Sequence, residues 1–243
     1  MPPPRFGLEG HVAALEQVSP RVTSMRIAVD GPPLAIAPGQ YVALTLPEQK
    51  PRDYSLSWRS TPGLLEFFVH DHGSGASRFI AERLRVRDRV FLDGPFGTMG
   101  LGLAHPGPLL CIASSTGIGP VMAIAEAARE LHPAREVQVY WGATNAEDLF
   151  LIDDIASAVP PEGSLILSAE DGEPDSAVIR PGTPLDAVVM DHRSLEGWAV
   201  VAAGPPRMVE AAALLVESLG LPMEAFHADA FFTQKDKQSP HGR

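Results

Sequence analysis

The sequence contains a single cysteine among its 243 residues. A thiolate-held iron–sulfur cluster needs several cysteines, so this chain by itself cannot hold one. Cys111 lies in the apolar run 109–113, where a buried strand thiol is expected rather than a reactive one. Any such cluster that works with this protein must therefore belong to a partner.

Long hydrophobic runs are also missing. No apolar stretch approaches the roughly 20 residues that a membrane-spanning helix requires, because glycine, proline or charge interrupts each one. The beginning of the chain, Met-Pro-Pro-Pro-Arg-Phe, has neither a basic leader nor an apolar signal core. We therefore expect a soluble, cytoplasmic protein without a membrane span.

Positive charge is scarce, since 19 lysine and arginine residues stand against 30 acidic ones, for a net charge of -11. This balance argues against general nucleic-acid binding. The histidines are scattered apart from His70 and His72, and the sequence has no H-E-x-x-H motif or Cys/His ligand cluster. No bound metal ion is predicted.

The first hundred residues alternate short apolar and polar stretches between turn signals such as Asp-Gly-Pro-Pro at 30–33. This spacing is typical of a small antiparallel barrel or sandwich. The candidate strands are 11–15, 25–29, 41–46, 64–69 and 91–97, with a further strand end at 52–57. One helix candidate, 76–84, follows a Gly-Ser-Gly cluster.

After a stretch rich in glycine, histidine and proline at 100–108, continuous apolar strands alternate with helices. Such alternation predicts right-handed crossovers and a doubly wound parallel sheet. The candidate strands are 109–113, 137–141, 165–168 and 199–203, and the candidate helices are 121–131, 148–156 and 207–219.

The segment Arg-Asp-Tyr-Ser-Leu-Ser at 52–57 combines a charge, an aromatic ring and two hydroxyls on one strand end. In an extended chain Arg52 and Tyr54 share one face, and Ser55 and Ser57 share the other. An arginine fork suits a phosphate, a ring offers a stacking surface, and a hydroxyl can bond a ring nitrogen. These are the tasks of a flavin site, although an ordinary half-buried strand with a solvated arginine has the same pattern.

Two loops at predicted strand ends are built of small residues and lead directly into helices. They are Ser-Ser-Thr-Gly-Ile-Gly-Pro at 114–120 and Gly-Pro-Pro-Arg-Met at 204–208. Ligands of open parallel sheets bind beyond the carboxyl ends of the strands, and small residues let a phosphate approach a helix N-terminus. The alternative for each loop is a plain tight turn.

In this order, Arg-x-Tyr-Ser-Leu-Ser, Thr-Gly-Ile-Gly-Pro and Ala-Gly-Pro-Pro-x-Met resemble the ferredoxin–NAD(P) reductase superfamily, especially its bacterial oxygenase-reductase branch. The likeness covers about 10–232. It implies two domains, a flavin-binding antiparallel six-stranded β-barrel at 5–101 and a nicotinamide-binding α/β domain at 106–232, with a polar tail at 233–243. The implied activity is the passage of hydride from NADH to FAD and then of single electrons to an external iron–sulfur protein, a ferredoxin or an oxygenase component.

The resemblance also implies a flavin site along the barrel. Arg52 would bind a flavin phosphate, Tyr54 would stack on the isoalloxazine ring, and Ser55 would hydrogen-bond near N5. The other residues implied for this site are Leu56, Ser57, Val69, His70, Gly75, Ala76 and Ser77. The last three match a glycine-rich helix start that receives the flavin pyrophosphate in relatives that mostly use FAD, so FAD is expected rather than FMN.

A nicotinamide path beyond the strand ends is implied as well. The residues expected along it are Thr116, Gly117, Gly142, Thr144, Ser168, Glu170, Gly204, Pro205 and Met208. Asp229 and Phe231 match the family's acid-x-Phe ending, which lies against flavin and nicotinamide. Together with Tyr54 and Ser55 they form the expected catalytic centre.

Two departures from the family pattern stand out. The family commonly has Gly-Gly-Thr-Gly where this chain has Ser-Ser-Thr-Gly at 114–117, small-for-small changes that should keep the loop shape. Many relatives place a cysteine beside the nicotinamide where this chain has Ala203. That difference affects hydride positioning more than the chemistry, which belongs to the flavin.

The choice of nicotinamide follows from charge. Relatives specific for NADP usually offer arginine near the 2'-phosphate, whereas this chain has Thr144 after its Tyr-Trp-Gly strand end. Glu170 and Asp171 end the next strand, where carboxylates would bind ribose hydroxyls and repel a phosphate. NADH is expected over NADPH, unless the two carboxylates form only a solvated turn.

Five arginines lie close together on the barrel side of the sequence: Arg78, Arg83, Arg85, Arg87 and Arg89. They suggest a positive edge that docks an acidic ferredoxin or oxygenase component, although a solvated face interrupted by Glu82 and Asp88 is the alternative. Two alternative functions also stand. One is an NAD(P)H–flavin or quinone reductase with a small acceptor, and the other is a flavin-binding regulatory or electron-transfer subunit.

Overall fold

The computed structural model describes residues 7–159, 163–171 and 178–231. The polar tail expected at 233–243 lies outside these residues, as do residues 5, 6 and 232 at the edges of the two expected domains. The domain boundaries therefore stay predictions. No helix in the described ranges is long and apolar enough to cross a membrane.

The first half of the chain forms one antiparallel sheet of six strands in the order β4-β3-β6-β1-β2-β5. The strands are β1 (Leu8–Ser19), β2 (Val22–Asp30), β3 (Tyr41–Thr45), β4 (Arg52–Ser55), β5 (Leu64–His70) and β6 (Arg89–Phe96). Just beyond β4, the amide of Ser57 donates to the carbonyl of Glu66 on β5 at 2.9 Å, which joins the two outermost strands. The predicted antiparallel fold of this half is confirmed.

A buried apolar cluster fills the inside of this sheet because alternate residues of each strand point inward. Its members include Val12, Met25, Ile27, Val42, Leu44, Leu65, Phe67, Val90 and Leu92. Helix α1 (Gly75–Glu82) adds Phe79 and Ile80 to the same core. The helix starts one residue earlier than its sequence pattern predicts and ends two residues sooner.

The second half forms a six-stranded parallel sheet in the order β10-β9-β8-β7-β11-β12. Its strands are β7 (Leu109–Ser114), β8 (Val137–Ala143), β9 (Ser164–Ala169), β10 (Ile179–Pro181), β11 (Ala199–Gly204) and β12 (Phe226–Ala230). Its helices are α2 (Ile118–Leu131), α3 (Ile152–Ala158), α4 (Pro184–Asp191) and α5 (Pro206–Ser218). The doubly wound fold is confirmed, and the strand order changes direction between β7 and β11, where ligands of such sheets bind.

Two strands of this sheet, β10 and β12, and one helix of this half, α4, are absent from the sequence prediction. Helix α4 begins with a full capping box, because the Thr183 hydroxyl accepts from the Asp186 amide while the Asp186 carboxylate accepts from the Thr183 amide. Pro184 stands at its first position, where a missing N–H costs nothing. The expected helix at 148–156 is shorter and later, since α3 starts only at Ile152.

The two sheets meet over an apolar cluster to which both contribute. Val22 and Phe68 from the barrel belong to the cluster that fills one face of the parallel sheet, and the Phe68 ring lies 4.8 Å from that of Phe150. A polar contact adds to this, because the buried Asp148 carboxylate accepts from the Ser19 hydroxyl at 3.1 Å. The relative position of barrel and sheet is therefore set by packing over a shared core.

Candidate functional site

The end of β4 presents the Arg-x-Tyr-Ser segment at the border between barrel and sheet. The Tyr54 ring meets Phe67 edge-on, with centroids 6.1 Å apart, and is partly buried against the barrel core. Burial raises the pKa of Tyr54 to about 12, opposed by the neighbouring Arg52. Its phenol therefore stays neutral at physiological pH.

Ser55 points from the barrel to the last strand of the parallel sheet. Its hydroxyl donates to the Asp229 carboxylate at 2.5 Å. Burial raises the pKa of Asp229, Asp53 raises it further, and the Ser55 hydrogen bond acts in the opposite direction. A hydroxyl and a carboxyl group with a raised pKa thus meet where the two sheets touch.

The next two residues turn inward. Leu56 lies in the barrel core and its amide donates to the Gln40 carbonyl at 3.0 Å, so its side chain does not face the border between the sheets. Ser57 is buried, and its hydroxyl donates to Glu66 at 2.8 Å. We therefore expect Leu56 and Ser57 to contribute to flavin binding by shaping the end of β4.

The expected flavin-tail segment follows β5. Val69 is buried in the barrel core, while His70 carries a buried Nδ1 for which the described residues supply no hydrogen-bond partner. Burial lowers the pKa of His70, and the His72 ring, 4.9 Å away, lowers it further. His70 is thus a neutral polar group beside the expected site.

Helix α1 begins directly after this segment. Gly75 has φ +65°, a left-handed conformation that glycine adopts without strain. Ser74 makes no side-chain capping bond, and the Ser77 hydroxyl instead accepts from the amide of His72 and donates to the carbonyl of Ser74. The amides of Ala76 and its neighbours at the helix start are therefore left for an anionic group.

A short 3-10 turn, Ser115–Gly117, connects β7 to α2. Ser115 has φ +51°, which costs an L-residue strain, and its carbonyl is fixed by the Trp141 indole at 2.9 Å. Gly117 passes so close to β11 that a Cβ there would stand 2.1 Å from the Ala203 carbonyl oxygen. This contact places Thr116 beside the carboxyl ends of β7 and β11. We call the ligand-binding position at these two strand ends the β7–β11 crevice.

The loop after β11 forms the other wall of that crevice. Gly204 has φ +153°, and a Cβ on it would lie 2.7 Å from the Met208 methyl group. Pro205 is the N-cap residue of α5, and its carbonyl accepts a hydrogen bond from the amide of Met208. The amide of Phe231 donates to the Gly204 carbonyl at 2.9 Å, which brings the acid-x-Phe ending to this loop.

The ends of β8 and β9 carry the residues expected around the ribose. Gly142 leaves no room for a side chain, since a Cβ would stand 2.6 Å from the Ser168 hydroxyl. The exposed Thr144 hydroxyl donates to Glu170 at 3.2 Å. Asp171 accepts from the amide of Ala146 at 2.8 Å, so it caps a turn, while Glu170 keeps its carboxylate at the surface.

Three buried side-chain polar atoms have no hydrogen-bond partner within residues 7–159, 163–171 and 178–231, namely His70 Nδ1, Ser115 Oγ and Ser168 Oγ. Buried polar groups normally have partners. All three lie at the ends of strands where a dinucleotide and a flavin tail were expected. The donors and acceptors present at this edge therefore fit a polar, phosphorylated ligand. The described part of the chain offers no group of three or more metal-ligating side chains.

Two buried acids at the border between the sheets were missed in the sequence. Glu66 is 1% exposed on β5, and Asp148 contacts Ser19 and, at 3.8 Å, Arg21. Both appear in the sequence as ordinary polar positions. Only the partners from distant strands show that they are buried.

The arginine cluster is less positive than its composition indicates. Arg78 contacts Asp71 and Glu82, Arg83 contacts Glu48, and Arg89 contacts Glu9. Within the described ranges no carboxylate pairs with the side chains of Arg85 and Arg87. Of the positive edge expected from the sequence, Arg85 and Arg87 are therefore the two exposed arginines whose charge is not paired with a carboxylate in the described residues.

Comparison with known proteins finds an oxidoreductase domain and reductases similar to this chain. Residues 111–213 match the family model described as the oxidoreductase NAD-binding domain. The reductase component of the naphthalene 1,2-dioxygenase/salicylate 5-hydroxylase systems of Ralstonia sp. is 29% identical over 230 residues, which cover 93% of this chain and 69% of the relative. The aromatic O-demethylase reductase subunit of an Amycolatopsis species is 34% identical over 207 residues, covering 82% of this chain and 62% of the relative.

Solved structures give the same result over nearly the whole chain. An Amycolatopsis cytochrome P450 reductase superposes with a TM-score of 0.83 at 29% identity, over 92% of this chain and 69% of the other. The ferredoxin reductase of a carbazole 1,9a-dioxygenase has a TM-score of 0.79 at 26% identity, over 93% and 69%. Both similarities span the barrel as well as the parallel sheet.

Proposed function

We propose that this chain, an oxidoreductase similar to the ferredoxin–NAD(P) reductase superfamily, passes hydride from NADH to bound FAD and single electrons onward to an external iron–sulfur protein. The observation that carries the proposal is the contact of Ser55 with Asp229. It joins the flavin-type strand end to the sheet edge that faces the β7–β11 crevice. Donor and acceptor cofactors bound at these two places would be neighbours.

The barrel residues would hold the flavin. Arg52 would pair with a phosphate, and the Tyr54 ring, which packs edge-on against Phe67, would offer its face to the isoalloxazine. The start of α1, with Gly75 in its left-handed conformation, would receive the pyrophosphate. Bound flavin supplies the conversion of a two-electron donor into single-electron steps. FAD is proposed over FMN because the α1 start leaves amides for a second phosphate.

The sheet residues would hold the nicotinamide. Thr116 and Gly117 form one wall of the crevice, and Gly204 and Pro205 form the other. The small residues let the nicotinamide reach the flavin, while the Ser55 hydroxyl and the Asp229 carboxyl would hold and exchange a proton at their shared hydrogen bond. Ala203 leaves this wall without a thiol.

NADH is the proposed donor. Glu170 stands at the end of β9 with its carboxylate at the surface, hydrogen-bonded to Thr144. A carboxylate there favours ribose hydroxyls and repels a 2'-phosphate. Asp171 supports the same preference by its charge alone, since its oxygen already caps the neighbouring turn.

The acceptor is proposed to be an iron–sulfur protein, a ferredoxin or an oxygenase component. The relatives named as reductase components of dioxygenase and monooxygenase systems support this class, and the one cysteine of this chain is buried. Arg85 and Arg87 offer the free positive charge for docking an acidic partner. A cytoplasmic location stays a prediction.

Two other functions use the same site. A small-acceptor flavin or quinone reductase would share the donor half of the reaction, and a flavin-binding subunit without turnover is favoured only by Ala203. Anaerobic titration of the yellow protein with NADH separates them. Bleaching followed by rapid reoxidation on adding an oxidised ferredoxin supports the proposal, whereas reoxidation only by free quinone supports the first alternative. Yellow protein that NADH does not bleach would support the second, and colourless protein that takes up no flavin would overturn the flavin site.

A further inference from the structure

The most heavily bonded buried charge at the border of the two sheets is Glu66. One carboxylate oxygen accepts from the Ser24 hydroxyl at 2.8 Å and from Arg26 Nε at 3.0 Å. The other accepts from the Ser57 hydroxyl at 2.8 Å and lies 3.6 Å from Arg59 Nε. Two of these partners lie on β2 and two follow the flavin-type strand end, so the carboxylate connects them.

The backbone of Glu66 makes the same connection. Its carbonyl accepts from the Ser57 amide at 2.9 Å and from the Ser60 hydroxyl at 3.2 Å. Its amide donates to the Ser60 hydroxyl at 3.0 Å. The segment that follows Ser55 is therefore fixed to β5 at both of its ends through one residue.

Ser57 touches the other half of the protein. A Cβ added to Gly119, in the first turn of α2, would stand 3.5 Å from both Cα and Cβ of Ser57 and 3.3 Å from the Phe68 ring. The Thr116–Gly119 turn therefore rests on Ser57. Ser55, two residues earlier along the strand, holds Asp229 on the opposite wall of the crevice.

A buried carboxylate is weak support for stability, because well-packed apolar residues often serve as well. It can instead fix geometry, because hydrogen bonds from several separate segments together restrict the position of the carboxylate. A displacement of about 1 Å in a reacting pair can cost on the order of a hundredfold in rate. The Glu66–Ser57 pair lies between the flavin-type strand β4 and the Thr116–Gly119 turn, here called the nucleotide turn. A displacement of this pair would therefore separate the strand from the turn.

We propose that Glu66 is a positioning residue that, through its hydrogen bond with Ser57, sets the distance between the Ser55 end of β4 and the Thr116–Gly119 turn. This inference rests on the proposed function, because the distance matters only if hydride crosses it. Glu66 itself makes no contact with either cofactor in this account. Its effect should therefore appear in the rate of flavin reduction and leave flavin binding intact.

Two matched variants test the proposal. Ser57→Ala and Ser24→Ala each remove one 2.8 Å hydrogen bond to the same carboxylate. Ser57 packs against Gly119 of the Thr116–Gly119 turn, whereas Ser24 lies on β2. We expect similar losses of stability in urea, with flavin reduction at saturating NADH slowed about tenfold or more in Ser57→Ala and less than about twofold in Ser24→Ala. Glu66→Gln, which keeps the side-chain shape, should slow the same step, with unchanged flavin affinity in each case.

The outcomes separate this inference from the proposed function. If the unaltered protein is not reduced by NADH, the proposed function fails. If it is reduced, and Ser57→Ala and Glu66→Gln are reduced at its rate, the positioning role alone is wrong. Equal slowing by Ser24→Ala, or a slowing accompanied by loss of flavin affinity, would also overturn it, since the first indicates general destabilisation and the second a direct flavin contact.

Discussion

The Ser55 hydroxyl donates to the Asp229 carboxylate across the border of the two sheets, at 2.5 Å and 174 residues apart in sequence. Ser55 ends β4 of the barrel, and Asp229 lies on β12 in register with Ala203 of β11. The pair therefore links the flavin-type strand to the wall of the nucleotide crevice. The proposed hydride path passes beside this hydrogen bond.

Removing the hydroxyl should slow the proposed reaction without unfolding the protein. We expect Ser55→Ala to lower the rate of flavin reduction by NADH about tenfold, the equivalent of one charge-assisted hydrogen bond. Anaerobic stopped-flow absorbance measures this rate directly. Ser218→Ala is the matched control, because its hydroxyl donates to the Leu215 carbonyl within α5. An equal effect of both changes would contradict a special role for Ser55.

Asp229 should reduce stability at neutral pH. Burial raises the pKa of Asp229, so the folded protein holds this proton more tightly than the unfolded chain. The contribution of protonated Asp229 to the free energy of unfolding is then fully present below the ordinary aspartate pKa, about 4. It is lost as pH rises through the higher pKa of the folded protein. Asp229→Asn should therefore unfold at higher urea concentration than the unaltered protein at pH 7, and this gain should vanish towards pH 4. A gain of equal size at both pH values would show that ionisation is not its cause.

Ser115 offers a place to stabilise the nucleotide turn. Its φ of +51° strains an L-residue, and its buried hydroxyl lacks a partner within the described ranges. Ser115→Gly, which removes this strain, should raise the free energy of unfolding by about 1 kcal/mol. Ser114→Gly is the control, because Ser114 is extended, with φ -125°, and glycine there should lower stability. If both changes destabilise the protein, strain at Ser115 is not significant.

The nicotinamide preference should depend on Glu170. Glu170→Gln keeps the hydrogen-bonding side chain but removes the charge that would repel a 2'-phosphate. We expect the specificity constant for NADPH relative to NADH to rise about fivefold, as removal of roughly 1 kcal/mol of repulsion in water implies. Glu196→Gln, an exposed change in the loop after α4, should leave the ratio unchanged. An unaltered protein that prefers NADPH would contradict the assignment.

The sequence predicts much of this architecture because its signals are local. Alternation along the first strands, small-residue loops at 114–120 and 204–208, and apolar strands separated by helices each depend on neighbours in the chain. Helix α4 also has a local signal, Thr183 followed by Pro184 and Asp186, which the sequence prediction did not use. These features need no knowledge of tertiary contacts.

The features that the sequence analysis did not predict depend on partners that are distant in the chain. Glu66 has the polar position of an alternating strand, and its burial follows from Ser24 and Arg26 on β2 and from the segment after β4. Arg135 is similar, since its guanidinium is buried against the carbonyls of Gly107 and Leu103 in the segment that joins the two halves. The neutralisation of the arginine cluster likewise depends on Glu9 and Glu48, which are remote in sequence.

The most direct test of hydride transfer across the Ser55–Asp229 border is anaerobic stopped-flow reduction of the flavin-loaded protein by NADH and by NADH deuterated at nicotinamide C4. We expect the yellow absorbance to bleach with both donors and the deuterated donor to react more slowly, because the transferred atom is the labelled one. Flavin that is bound but remains oxidised with either donor would contradict hydride transfer across this border.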